Sequence, residues 1–467
     1  MSLDMKRYLF YDIETSGLNP AFDQVLTFAA IITNLNLEEI ERHSITIRLR
    51  PDIIPSPHAF ITHRLTLDEL AKGVCEYDAA LKIHSLLNDP DTQSIGYNSL
   101  KFDDEFLRFL FYRNLLDPYS HQYASGCSRG DILPITALYR IFCPESLAWP
   151  RLEDGRSSLR LEHLRASNGF DISGMAHEAM ADVEALIALT KLLQAKSDVW
   201  AYAMGFFDKS EDMRRHAQLE ANWAFLGQNY RVALMVSPVF GTKCNYLAPV
   251  LCLGQSSAYK NQTLWLRLDR EDLFAPDPDD PSRFQWYVIR KKMGDEWLLL
   301  PKKERFWMRL QPDVRELVAR NLNEFIGQSK LFFNTLSHHL DYRYPDIPNI
   351  DVDASLYEDG FFSFHEKKEM NSFHQCGTVE DKVRVTEKMA ANRIRNIAGR
   401  ILMRNFSVPH GKVSMLDEIN PVGIGYRGGE LKYTKEQAKS HIEELLVSSH
   451  LDGPQIHILE SLRSYLS

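Results

Sequence analysis

Cysteine is sparse and unpatterned. Six residues (Cys75, Cys127, Cys143, Cys244, Cys252 and Cys376) are scattered over 467 positions, with no pair at Cys-x-x-Cys spacing. That argues against a disulfide framework and against a structural zinc site. No apolar run approaches the roughly 20 residues that a membrane-spanning helix needs, so no membrane association is expected. The first residues run straight into an apolar strand, without the basic, apolar and small-residue succession of a signal peptide, and the expected location is the cytoplasm. An excess of positive charge is missing too. A formal charge of −9 argues against a general basic field that would coat duplex DNA, but permits a local basic groove on an acidic body. What remains is ordinary core material, 44% hydrophobic and 25% charged. At a soft prior of about 150 residues per domain it is enough for two to four domains.

One stretch organises the rest. Arg7-Tyr8-Leu9-Phe10-Tyr11-Asp12-Ile13-Glu14-Thr15 is an apolar, β-forming run that ends with two carboxylates two residues apart. In an extended strand, residues i and i+2 share a face, so Asp12 and Glu14 converge on one spot. Paired carboxylates on an apolar strand repel one another and are poorly solvated, which a divalent cation relieves. Taken alone, the pair also serves merely to close a strand before the turn Ser16-Gly17-Leu18-Asn19-Pro20.

Val25 to Thr33 and His43 to Leu49 read as further strands, making a meander. Thr66 with Glu69 forms a candidate capping box, and Tyr77 to Leu87 a helix. Ser94 to Tyr97 reads as a short strand leading into a helix with Phe106, Leu107, Leu110 and Phe111 on its apolar face. Asp103 falls where strand gives way to helix; it is either a third carboxylate of the site or simple charging of a helix N-terminus. Ser158 to Ala166 reads as a helix closed by Asn168-Gly169, and Ala176 opens a longer one through Leu193, with His177 and Asp182 at its start. Each of these two could equally be a structural residue. Around Asp182, the small side chains of Ala179, Ala181 and Ala185 allow close approach to a strand.

Together, Asp12-Ile13-Glu14, Asn98 with Phe102-Asp103, and His177 followed by Asp182 resemble, in order, the three motifs of the DEDDh 3′→5′ exonucleases. Gly96-Tyr97-Asn98, Arg108, Phe111-Tyr112-Arg113-Asn114, Asp117-Pro118-Tyr119, Leu161-Glu162-His163-Leu164 and Ala176 to Val183 are similar to the bacterial exodeoxyribonuclease I family in particular. The resemblance implies an α/β fold: a ribonuclease H-like exonuclease domain (1–200), an SH3-like β-barrel domain (201–350) and a C-terminal helical domain (351–467). Within 201–350 the pattern shows a helical stretch around Arg214 and Arg215. Short strands follow at Arg231 to Val236, Asn245 to Leu253, Leu264 to Leu268, Trp286 to Arg290 and Trp297 to Leu300. Within 351–467 it shows a helix over Asp381 to Arg404 whose Arg393, Arg395, Arg400 and Arg404 read as a solvated basic face, and a later helix capped by Thr434 and Gln437.

The resemblance further implies that Asp12, Glu14, Asp103 and Asp182 hold two Mg²⁺ ions, with Mn²⁺ as a substitute, and that His177 is the general base. Glu14, Arg108, Tyr119, Tyr123 and Arg160 are the positions carried over for DNA contact. The family has a tryptophan in the segment where this chain runs Ser120 to Gly130 without one, which leaves stacking there to Tyr123. The implied activity is release of 5′-mononucleotides from the 3′ end of single-stranded DNA in repair and recombination, by a monomer, with a single-strand binding protein as an expected partner. Two other readings use the same residues: an RNA-trimming exonuclease of the same superfamily, and a non-catalytic nucleic-acid-binding protein on the same fold.

Overall fold

The structure is a computed structural model that describes residues 6–170, 172, 178–274, 287–358, 360–409, 423–447 and 450–467. The chain divides into two compact units, one of residues 1–129, 171–187 and 346–467, the other of residues 130–170 and 188–345.

The first unit is built on a five-stranded mixed sheet. β1 (Arg7–Thr15), β2 (Val25–Thr33) and β3 (Glu39–Thr46) form the expected antiparallel meander. β4 (Thr92–Gly96) runs parallel to β1, and β5 (Ser128–Asp131) completes the order β3-β2-β1-β4-β5. β1 is central, which suits its aromatic and aliphatic composition. Its Leu9, Tyr11 and Ile13 face a core completed by Phe28, Ala30 and Ile32 of β2. Ala80 and Ile83 of helix Glu76–Leu87 and Phe106 and Leu110 of helix Asp103–Tyr112 close that core. A slip of one residue would drive Asp12 and Glu14 into that apolar layer, so the register of β1 is strongly specified. The Thr66–Glu69 capping box heads helix Leu67–Ala71 as expected.

Residues 346–467 share this unit's cores. Leu356, Phe362, Phe373, Ile394 and Ile401 pack with Phe22, Tyr77, Phe109 and Tyr112 in one cluster. Helices Lys435–Leu446, opened by the Thr434–Gln437 capping box, and Gly453–Tyr465 cover Leu26, Phe60 and Leu70 in another.

The expected helix over Asp381 to Arg404 is two helices, Val379–Lys388 and Asn392–Phe406. Met389 is buried in extended conformation at the break, and the Ala390 amide donates to Glu369 Oε1 at 2.7 Å, so a tertiary cap replaces the helical bond. Nor is the arginine series a solvated face. Arg400 and Arg404 are buried among carboxylates, because the acids that neutralise them come from elsewhere in the chain.

In the second unit a hairpin, β6 (Trp223–Phe225) and β7 (Gln228–Tyr230), precedes an antiparallel sheet. Its strands are β8 (Val232–Val236), β9 (Leu247–Gln255), β10 (Gln262–Arg267), β11 (Val288–Lys292) and β12 (Leu298–Pro301), in the order β11-β10-β9-β8-β12. The expected strand beginning at Trp286 starts at Val288, and Trp286 itself lies outside the described residues. Helices Pro312–Gly327 and Ser329–Asp341, which the strand pattern did not anticipate, seat Val318, Leu322, Phe325 and Phe332 against β9 and β10. Among the described residues no helix is long and apolar enough to cross a membrane.

Candidate metal and nucleic-acid site

Asp12 and Glu14 project from the same face of β1, and Asp182 comes from the first turn of helix Ala179–Gln194. One carboxylate oxygen from each of the three lies within 4.8 Å of the others. Ala179, Ala181 and Ala185 are all buried, in keeping with a helix that packs closely. Asp103, the first residue of helix Asp103–Tyr112, is buried at the margin of this cluster, and its charge acts on both Asp12 and Glu14.

The electrostatics are one-sided. Burial, then Asp103, Glu14 and Asp182, raise the Asp12 carboxyl well above the usual range. Burial, then Asp182 and Asp103, push Glu14 up to about 9. Among the described residues, the charges that shift either group are all carboxylates. Oxygen donors this close fit hard divalent ions. His177 lies outside the described residues, so its role rests on the sequence resemblance alone.

Asp103 and Asp104 are adjacent in sequence but separate in role, because successive helical residues point about 100° apart. Asp104 accepts from the Tyr11 hydroxyl at 2.8 Å and from Arg129 Nη1 at 2.5 Å. Burial raises its pKa, but Arg129, His121 and Arg108 outweigh that and hold it low. After β1, the carboxylate of Asp23 accepts from the Asn19 amide at 2.8 Å and from Ser16 Oγ at 3.3 Å. A Cβ at Gly17 would lie 2.4 Å from Asp23 Oδ2, so a side chain there would displace the carboxylate that holds the turn after β1.

Of the residues expected to contact DNA, Arg108 and Tyr119 come together, with the Arg108 guanidinium carbon 5.9 Å from the Tyr119 ring centre. Arg108 is largely buried. Its Nη1 donates to Glu105 Oε2 at 2.7 Å, and its buried Nε has no acceptor among the described residues. Tyr123, in the same loop as Tyr119, is 67% exposed. Arg160 caps helix Leu161–Asn168 in the second unit and is exposed, 3.7 Å from Glu162.

Sequence reasoning missed Glu105 and the two tyrosines that hold it, Tyr357 (2.7 Å) and Tyr426 (3.0 Å), which lie 252 and 321 residues away. No local signal could have found them. It also missed a buried ionic network behind the site. Arg50 pairs with Asp52 (3.0 Å) and Glu76 (2.8 Å), and Arg113 with Glu76 (3.1 Å). Arg404 bridges Asp52 (3.0 Å) and Asp353 (2.6 Å), and Arg400 pairs with Asp351 and Asp353.

A family model described as an exonuclease matches residues 9–190. The exodeoxyribonuclease I of Escherichia coli K12 is 41% identical over 191 residues, a span of 40% of this chain and 40% of that protein. The exodeoxyribonuclease I of Buchnera aphidicola subsp. Acyrthosiphon pisum is 36% identical over 435 residues, covering 86% of this chain and 97% of that protein. The crystal structure of E. coli exonuclease I in complex with a dA16 oligonucleotide matches with a TM-score of 0.82 at 25% identity, over 98% of this chain and 99% of that one. A zinc ion bound form of the E. coli ExoI–ssDNA complex matches at 0.81, covering 99% and 98% of the two chains, and an SSB/exonuclease I structure with the inhibitor CFAM at 0.79, covering 99% of each; both are 25% identical. The ribonuclease H-like mixed sheet and the helical C-terminal region expected from the sequence agree with these matches. With nearly the whole of the Buchnera protein aligned at that identity and the acidic cluster in place on β1, the chain belongs to the exodeoxyribonuclease I family.

Proposed function

We propose that this chain is a metal-dependent exonuclease that removes nucleotides from the 3′ end of single-stranded DNA, releasing 5′-mononucleotides in repair and recombination. The observation that carries the reading is the convergence of Asp12, Glu14 and Asp182, one carboxylate oxygen of each lying within 4.8 Å of the others, with the charge of Asp103 acting on Asp12 and Glu14. These four residues would hold two Mg²⁺ ions, or Mn²⁺ in their place. When bound, such ions neutralise charge on the scissile phosphate and lower the pKa of a water. The chain's own residues do the rest. β1 and the helix carrying Asp182 fix the carboxylates before substrate arrives, which removes the cost of organising them during the reaction. His177 accepts the proton of the attacking water. Arg108 supplies donors to a backbone phosphate beside Tyr119, Glu14 lies against the terminal nucleotide, Tyr123 presents a ring face for base stacking, and Arg160 adds a further cation for the strand.

The antiparallel sheet of the second unit is read as the SH3-like barrel, with domain limits at 1–200, 201–350 and 351–467. The protein acts as a cytoplasmic monomer with a single-strand binding protein as its partner, a reading supported by the similar SSB/exonuclease I structure.

The test uses 3′- and 5′-labelled single- and double-stranded DNA, and RNA of the same sequence, incubated with Mg²⁺ or with EDTA. Mononucleotides should be lost progressively from the 3′ end of single-stranded DNA, only when metal is present. Endonucleolytic fragments, metal-independent cleavage or equal digestion of RNA would refute the proposal.

A further inference from the structure

The C-terminal region reaches the helix of Asp103 at the carboxylate of Glu105. Glu105 lies two residues beyond Asp103 on the same helix, and its Oε1 accepts from the hydroxyls of Tyr357 at 2.7 Å and Tyr426 at 3.0 Å. Its Oε2 accepts from Arg108 Nη1 at 2.7 Å. Both tyrosine rings pack on Phe109, Tyr426 with centroids 4.9 Å apart and Tyr357 at 5.8 Å. The Tyr426 hydroxyl accepts in turn from Arg427 Nε at 3.0 Å. A carboxylate held from three sides keeps one orientation, so the guanidinium paired with it does too.

That guanidinium is only partly used. A planar guanidinium carries five N–H donors. In Arg108, Nη1 is spent on Glu105, the Tyr357 hydroxyl interacts with the group, Nη2 comes no nearer to Asp104 than 3.9 Å, and buried Nε has no acceptor among the described residues. A buried donor without an acceptor is costly, and in a planar guanidinium Nε lies beside Nη2, a pair of donors that matches two oxygens of a phosphate.

We propose that Tyr357 and Tyr426 are positioning residues for substrate: by locking Glu105 they aim the Nε–Nη2 edge of Arg108 at a backbone phosphate of the DNA strand. Two residues of the C-terminal region thereby tune affinity through Arg108. This rests on the reading that the chain degrades single-stranded DNA.

Tyr426→Phe and the double variant Tyr357→Phe/Tyr426→Phe remove hydroxyls and keep the rings. In the full-length protein with Mg²⁺, KM for a single-stranded oligonucleotide should rise about 3- to 10-fold for Tyr426→Phe, the usual net worth of one hydrogen bond, with kcat within about two-fold. Binding of the same oligonucleotide in EDTA should weaken equally, and the slope of log affinity against log salt should fall by about 0.7, one phosphate contact on a single strand. Arg108→Ala should abolish the effect, so that Tyr426→Phe costs nothing further in that background. A purely structural brace predicts additive losses and an unchanged salt slope, and either result overturns the proposal, as does unchanged KM. If removing the hydroxyls lowers the thermal midpoint, Glu105→Gln, which keeps the shape of the carboxylate and gives up its charge, must reproduce the change in salt slope. A wild type that neither binds nor digests single-stranded DNA overturns the functional reading as well, which separates the two failures.

Discussion

Replacing Glu14 with glutamine should abolish hydrolysis and yet stabilise the metal-free protein. In an unfolded chain the carboxyl titrates at 4.5; in the folded protein burial, then Asp182 and Asp103, move it up to about 9. Between those values the folded state keeps a proton that the unfolded state has released. The group's contribution is therefore fully present below pH 4.5 and is lost as pH rises towards about 9. At pH 7 that is about 2.5 pH units at about 1.4 kcal/mol each, an upper figure of about 3 kcal/mol, which side-chain relaxation and water around the charged cluster reduce. Glutamine has the same shape and no charge to lose. Urea unfolding in EDTA should show E14Q level with the wild type near pH 5 and progressively more stable towards pH 8. Saturating Mg²⁺ should then reverse the order, because only the wild type gains the full free energy of metal binding. If E14Q is no more stable than the wild type at pH 8 in EDTA, the carboxylates are not packed against one another as the structure has them.

Three other outcomes follow from the structure, and a fourth, at His177, from the sequence resemblance. Asp182→Asn should lose metal-stimulated hydrolysis while retaining cooperative unfolding, checked by nuclease assay and circular dichroism. Tyr123→Ala should weaken single-strand binding by about 1–3 kcal/mol if a base stacks on that exposed ring, with little effect on the thermal midpoint. Arg404→Leu leaves Asp52 with Arg50 alone and Asp353 with Arg400 alone, and should cost about 3 kcal/mol in urea unfolding at pH 7, the lower end for breaking a buried pair. His177→Ala should slow single-turnover cleavage by about 10²–10⁴-fold without changing metal affinity, and raising the pH should recover part of the rate.

Much of the metal site was legible because its signals are local. Period-two alternation in β1 places Asp12 beside Glu14, a helix start follows Asn98 to Phe102, and small residues flank Asp182. The capping boxes at Thr66–Glu69 and Thr434–Gln437 are likewise written in four consecutive positions. What could not be read is long-range. Nothing near Arg404 announces Asp52 or Asp353, and nothing near Met389 announces that Glu369 will take the amide of Ala390 and end the helix. The division of labour between Asp103 and Asp104 depends on Arg129 and Tyr11, from two different strands. Helices Pro312–Gly327 and Ser329–Asp341 are a different case. Proline at the first turn, followed by Val318, Leu322 and Phe325 on one face, was a readable signal, obscured by the run of strands before it.

Within one unit the chain buries acids in two opposite ways, and the contrast bears on function. Asp353 lies between Arg400 and Arg404, which outweigh its burial and hold it well below the usual carboxylate range. Asp52 is lowered in the same way by Arg404 and Arg50. These acids are neutralised by the chain itself and need nothing from outside. Asp12 and Glu14 are shifted upward by burial first and then by neighbouring carboxylates, and among the described residues no arginine or lysine contributes. A fold that supplies guanidinium partners to acids elsewhere in the same unit, but none to Asp12 or Glu14 among the described residues, leaves a charge imbalance that a bound proton or an added cation must meet. That imbalance costs stability in the free protein, and a cost borne where compensation was structurally available is the mark of a working site rather than of a structural one.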